Sequence, residues 1–99
     1  MTRINVGIEP VELPRQLLLA EHREIKRIPN AVTSCRAVIE NIPSTFCLGK
    51  GHVKFFYDKL GYLLRRYDQL YFDCALRDYR VQDYLSAWDG IPENLMGDY

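Results

Sequence analysis

The residues with most chemistry to offer lie in Gln16-Leu17-Leu18-Leu19-Ala20-Glu21-His22-Arg23-Glu24-Ile25-Lys26-Arg27. At 100° per residue, Leu13, Leu17, Leu18, Ile25 and Ile28 gather on one side, as a core-facing helix requires. Gln16, Arg23 and Arg27 gather on a neighbouring edge, and Glu24 falls at the seam between the two stripes. A carboxylate there is half desolvated by leucines and flanked by guanidinium groups, so burial and charge pairing act on it in opposite directions. With His22 and Lys26 beside them, these side chains form a candidate pocket for a phosphate-bearing ligand. A helix edge carrying ordinary salt bridges gives the same pattern.

The elements that must position this group follow from the order of the chain. Met1 to Asn5 is short and polar, with β-branched residues and no helical period. Pro14 suits a first helical position, where its missing N–H costs nothing. The first helix is expected from about Pro14 to Ile28, ended or kinked by Pro29 and Asn30, with a second helical piece over Ala31 to Glu40. Thr45 to His52 carries two glycines but lacks the spacing of a phosphate-binding loop, and reads as a turn into the next helix. From about His52 to Tyr79, the 3/4 spacing of Phe56, Leu60, Leu63, Tyr67, Leu70 and Cys74 predicts a long core helix, widened by Leu64 and Tyr71. Gly61 costs that helix about 1 kcal/mol against alanine, which implies a close neighbour. After Arg80, turn residues and aromatics alternate too closely for long elements, and an irregular tail over the helices is expected. The fold class is therefore all-α: two main helices, the first kinked, and an irregular C-terminal tail.

At 99 residues with 47% hydrophobic and 26% charged side chains, the chain is one small globular domain. No apolar run approaches the roughly 18 residues of a membrane span, and the N-terminus lacks a signal peptide's apolar core, so a cytoplasmic protein without membrane contact is expected. Cys35, Cys47 and Cys74 are odd in number, lack CxxC spacing and read as reduced thiols. With His22 and His52 they offer too few ligands at too wide a spacing for zinc, so no metal is expected. Net charge is zero but uneven: residues 1–36 hold six Lys/Arg against four Asp/Glu, 50–66 five against one, and 67–99 two against seven. A phosphate-bearing partner would meet the first two segments and avoid the last, while overall neutrality argues against non-specific coating of DNA.

Several pieces, in order along essentially the whole chain, resemble one family. They are Met1-Thr2-Arg3-Ile4-Asn5, Leu19-Ala20-Glu21-His22-Arg23-Glu24-Ile25, Ile42-Pro43-Ser44-Thr45-Phe46, Gly51-His52-Val53 with Phe55-Phe56-Tyr57-Asp58-Lys59, Val81-Gln82-Asp83 and Gly97-Asp98-Tyr99. The chain is similar to the pyrimidine-dimer DNA glycosylase/AP lyases of the phage and algal-virus endonuclease V type. That resemblance implies a compact all-α domain whose Thr2 α-amine, freed by loss of Met1, attacks C1′ of a damaged nucleoside. It also implies that Glu24 is the catalytic carboxylate and that Arg3, Arg23 and Arg27 grip phosphate on kinked double-stranded DNA. An α-amine titrates near 7.7–8, against about 10.4 for lysine, so a useful fraction is a neutral nucleophile near pH 7. A retained Met1 would leave that nitrogen as an unreactive amide. No cofactor is implied, and the setting implied is a bacterial or phage-infected cell.

The sequence departs from the family in places. Family members continue for about another third of a chain, so residues 1–99 are expected to form a single domain without the family's C-terminal helix. Leu17 stands where the family has a histidine, and His22 where it often has an aromatic ring. Two other readings stand beside the enzyme. One is a non-catalytic protein binding a small phosphorylated nucleotide in the same pocket. The other is an interaction module forming a homodimer through the exposed face of the second main helix.

Overall fold

The longest helix, α4 (Leu60–Leu76), is the beam on which the other elements rest. Leu60, Leu63, Tyr67, Leu70 and Cys74 are buried along one face, with Phe56 just before it, as the 3/4 spacing requires. The computed structural model describes residues 2–99. Met1, and with it the question of whether the Thr2 amine is free, lies outside the described residues. The described residues form an all-α globule without strands, apart from one isolated bridge between Lys59 and Met96. None of their helices is long and apolar enough to cross a membrane.

Helix α1 (Arg15–Glu24) packs across α4, burying Leu18 and, just past its end, Ile25. The helix starts one residue later than expected, at Arg15, with Pro14 as its N-cap. The segment before it is tied down by Arg77 near the end of α4, whose guanidinium donates to the carbonyls of Leu13 (2.8 Å), Pro10 (3.1 Å) and Val11 (3.1 Å).

The first helix is shorter than expected. It ends at Glu24, and a separate helix α2 (Arg27–Thr33) follows after a two-residue turn. Pro29 is the physical reason, acting one turn upstream of its own position. It has no N–H for the Ile25 carbonyl, and its ring clashes with that carbonyl in a continuous helix. The break therefore falls at Ile25-Lys26, and Pro29 sits inside the first turn of α2, where the lost donor is harmless. The expected helix over Ala31 to Glu40 is replaced by α2 ending at Thr33, with Cys35 at φ 60° just beyond. Leu17 is also a correction: it is 46% exposed, whereas Leu13, Leu18, Ile25 and Ile28 are buried.

The expected helix from His52 to Tyr79 is likewise two pieces, α3 (His52–Phe55) and α4, separated by a turn. Gly51, at φ 88°, opens α3 from a left-handed conformation that glycine adopts without strain. The turn between α3 and α4 receives the C-terminal segment. Gly97 N–H donates to the Asp58 carbonyl (3.1 Å), and Tyr62 N–H donates to the Gly97 carbonyl (3.0 Å). Gly61 is the glycine this approach demands, since a Cβ there would lie 2.6 Å from the Met96 carbonyl oxygen. The close neighbour implied by that glycine is therefore the backbone of the tail. The single tryptophan, Trp88, is buried on the same side and donates its indole N–H to the Leu60 carbonyl (3.0 Å).

Candidate functional site

The N-terminal segment has no sheet to join, yet two successive backbone N–H groups are paired. Ile4 N–H donates to His52 Nε2 at 2.9 Å, and Asn5 N–H donates to Glu21 Oε1 at 3.2 Å. The Asn5 side-chain amide adds a second bond to the same oxygen at 2.7 Å. Ile4 itself is wholly buried in the core. This segment is thus fixed against α1 and α3, whereas chain termini generally fray unless tied down.

Glu21 is the pivot. Its side chain is 1% exposed and pairs with Arg66 of α4 through a bidentate fork, with Arg66 Nη2 donating to Oε1 at 3.0 Å and Nε donating to Oε2. A buried carboxylate is tolerable only when paired and hydrogen-bonded, and here its two oxygens receive four donors. On the other side, His52 Nδ1 lies 2.8 Å from the Cys47 carbonyl. A carbonyl only accepts, so Nδ1 carries the proton and Nε2 is left as the acceptor that Ile4 uses. Phe46 and Phe56 hold the ring edge-on, with centroids 5.5 and 5.4 Å away.

The residues singled out from the sequence distribute around this core. Thr2 and Arg3 line a small cleft of about 100 Å³ with Leu48, Gly49, His52 and Val53. Glu24, the last residue of α1, lies outside that lining; its side chain is 16% exposed and pairs with the exposed Arg23 at 3.5 Å. Arg27 and Gln16 are exposed. Lys26 donates to the Arg23 carbonyl at 2.6 Å and holds its ammonium 3.7 Å over the Tyr84 ring. Burial, then the charges of Arg27 and Arg23, push the Lys26 ammonium below the usual lysine range.

His22 is packed in the interior, at 2% exposure, among the rings of Tyr67, Tyr71 and Tyr84. Its Nε2 has no hydrogen-bond partner among the described residues. Burial, followed by the Lys26 charge, lowers its pKa from 6.5 and holds the ring neutral. Next to it, the Tyr67 hydroxyl donates to Asp83 (2.9 Å) and accepts from Tyr84 N–H (2.6 Å), which pins the Val81-Gln82-Asp83 stretch to α4. The Leu85 N–H and the Tyr67 hydroxyl together lower the Asp83 pKa, while burial raises that of Tyr67. His22, Arg23, Arg80, Gln82 and Tyr84 line a second cleft on this side.

Compared with known protein families, residues 1–86 match the family described as pyrimidine dimer DNA glycosylase. The chain belongs to that family. The pyrimidine dimer DNA glycosylases are DNA-repair proteins, and the match takes in every residue of the clamp just described: Ile4, Asn5, Glu21, His52 and Arg66. In this chain the segment beyond the match still contributes to the fold, through Trp88 on Leu60 and Met96-Gly97 on Gly61.

Sequence reasoning overlooked Glu21, Arg66, Asn5 and His52. A signal for two of them was present. Glu21 is three residues after Leu18 and four before Ile25, and Arg66 lies between Leu63 and Leu70, so each charge sits on a core face. Opposite charges on two buried faces are the mark of an internal ion pair. Nothing comparable in the pattern announces that Asn5 and His52 join it.

Proposed function

We propose that this protein is a DNA glycosylase with AP lyase activity on pyrimidine dimers, working through an imine between the Thr2 α-amine and C1′ of the damaged nucleoside. The neutral amine attacks C1′ as the C1′–base bond breaks and the base departs with the bonding electrons. Opening of the C1′–O4′ bond leaves an imine at C1′ and a hydroxyl at C4′. The imine acidifies the C2′ proton; its removal expels the 3′ phosphate by β-elimination and cuts the strand. Glu24 stabilises positive charge developing at the sugar and carries the protons. Arg3, Arg23 and Arg27 hold backbone phosphates, which fixes register on the duplex without reading sequence.

The observation that carries this reading is the anchoring of residues 4 and 5 in a chain of this family. A nucleophile at a chain end is useful only if that end is held still, and here two internal side chains hold it. Reach supports Glu24 as the partner. Thr2 is three residues from Asn5, an extended span of at most about 10 Å. Glu24 is one helical turn, about 4.5 Å of rise, beyond the Glu21 to which Asn5 is bonded. The test is incision of a duplex with one site-specific thymine dimer. The wild-type protein cuts at the dimer; Glu24→Gln, and Thr2→Glu, whose bulk keeps Met1 in place and the nitrogen at position 2 an amide, cut at the background rate. Incision by both variants at the wild-type rate would dismiss the mechanism, and a nucleotide-induced thermal shift without incision would favour the binding-protein reading.

A further inference from the structure

We propose that His52 and Glu21 are positioning residues for the N-terminal amine: His52 fixes the backbone at Ile4, Glu21 fixes it at Asn5, and together they set where the Thr2 nitrogen meets C1′. The inference rests on the imine mechanism proposed above and assigns work to side chains that this mechanism leaves idle.

The geometry of both anchors is specific. In an all-α protein an extended terminal segment has no neighbouring strand, so its N–H groups must find side chains, water or nothing. Here both N–H groups find acceptors from distant elements, 48 and 16 positions along the chain. The His52 acceptor exists only in one tautomer, and the Cys47 carbonyl selects it. The ring cannot swing away, because Phe46 and Phe56 pack against it and it is buried. Glu21 is equally fixed, by its fork to Arg66 on the longest helix. From Ile4 N to Thr2 N is two residues, at most about 7 Å of chain, so pinning Ile4 confines the amine to a small volume. Misplacing a reacting group by 1 Å can cost about 100-fold in rate, which is the scale at which such a clamp matters.

The experiment uses the full chain with a duplex carrying one abasic site, trapped with borohydride under single-turnover conditions at saturating protein. His52→Ala is expected to slow trapping about 10- to 100-fold. Its affinity for the duplex should stay within about threefold, since the ring is buried and both its nitrogens are engaged inside the protein. His52→Gln places an amide oxygen at the depth of imidazole Nε2 and should recover much of the rate. The companion measurement is reductive methylation of the Thr2 amine by formaldehyde, which needs no alignment and should proceed equally in all three proteins. Asn5→Ala deletes the side-chain amide bond and leaves the buried charges paired; it carries the test if His52→Ala melts below the assay temperature, with an expected loss of about 3- to 10-fold. Trapping by the folded variants within twofold of wild type overturns the positioning role alone. A wild-type protein that forms no adduct at Thr2 overturns the imine mechanism and the positioning role with it. A slowed variant that glutamine does not rescue, or that methylates slowly too, also counts against the proposal.

Discussion

Replacing Arg66 with methionine tests the buried clamp most sharply. Arg66 and Glu21 are 6% and 1% exposed at their side chains, so their charges are well removed from solvent. Methionine keeps the aliphatic bulk of the arginine stem but removes both donors to Glu21, which is left with Asn5 alone. Breaking a buried pair in this way costs about 3–5 kcal/mol, because the surviving charge is buried without its partner. A domain of this size has about 5–15 kcal/mol in total, so the loss is a large fraction of stability. In urea, with a slope of about 1.5 kcal/mol per molar, the midpoint should fall by about 2–3 M. Removing both charges, as Glu21→Leu with Arg66→Met, leaves no orphan carboxylate. It leaves the Asn5 N–H without its acceptor, at a cost of about 1–3 kcal/mol. The double variant should therefore be more stable than Arg66→Met by about 1–2 kcal/mol, so that its loss falls well short of the sum of the two single losses, as for touching residues. Additive losses in the two singles and the double would refute the reasoning, since they would mean that the carboxylate and the guanidinium do not depend on one another.

Three further expectations follow from single contacts. Gly61→Ala gains about 1 kcal/mol in helix propensity. Its Cβ, however, meets the Met96 carbonyl at 2.6 Å and forces the tail off α4; overpacking and the weakened Tyr62–Gly97 bond outweigh the gain, so Tm should drop by at least about 4 °C in a calorimetric scan. His22→Phe keeps the ring among the tyrosines and deletes an unpaired buried nitrogen, so at pH 7 it should be neutral or stabilising by about 1 kcal/mol in urea unfolding. Because the folded-state pKa of His22 is lowered, its neutral form contributes stability that is present above 6.5 and lost as pH falls through the folded value. The variant's advantage should accordingly widen below pH 6.5, and a constant difference from pH 8 to 5 would show that His22 does not titrate with folding.

How much of this was legible in the sequence depended on whether a feature is local or periodic. The α4 stripe from Phe56 to Cys74 could be read outright, because a 3/4 repeat over several turns has one way to bury itself. Gly61 was legible too, since a glycine inside a good helix needs a steric reason. Pro29 is plain in the sequence and suggests a break at the proline, but the lost bond and the clash fall four residues earlier, at Ile25. Leu17 was misassigned because a wheel drawn to Ile28 describes a helix that stops at Glu24. The site was less legible than the fold. Glu24 stands out in the sequence because its neighbours there are charged, whereas the partners of Glu21 lie 16 and 45 positions away. Periodicity reports which face turns inward. It does not report which buried charges meet, or that an imidazole from α3 serves a backbone N–H at the start of the chain.

The central claim is that the first amine of the processed chain reacts at C1′. It is tested most directly by reducing the protein with borohydride in the presence of abasic-site DNA, digesting both partners, and locating the sugar remnant by peptide mass spectrometry. The account predicts the remnant on the Thr2 α-nitrogen, in a peptide that begins at Thr2. A remnant on a lysine such as Lys26, or a chain that cuts DNA with Met1 still attached, would contradict it.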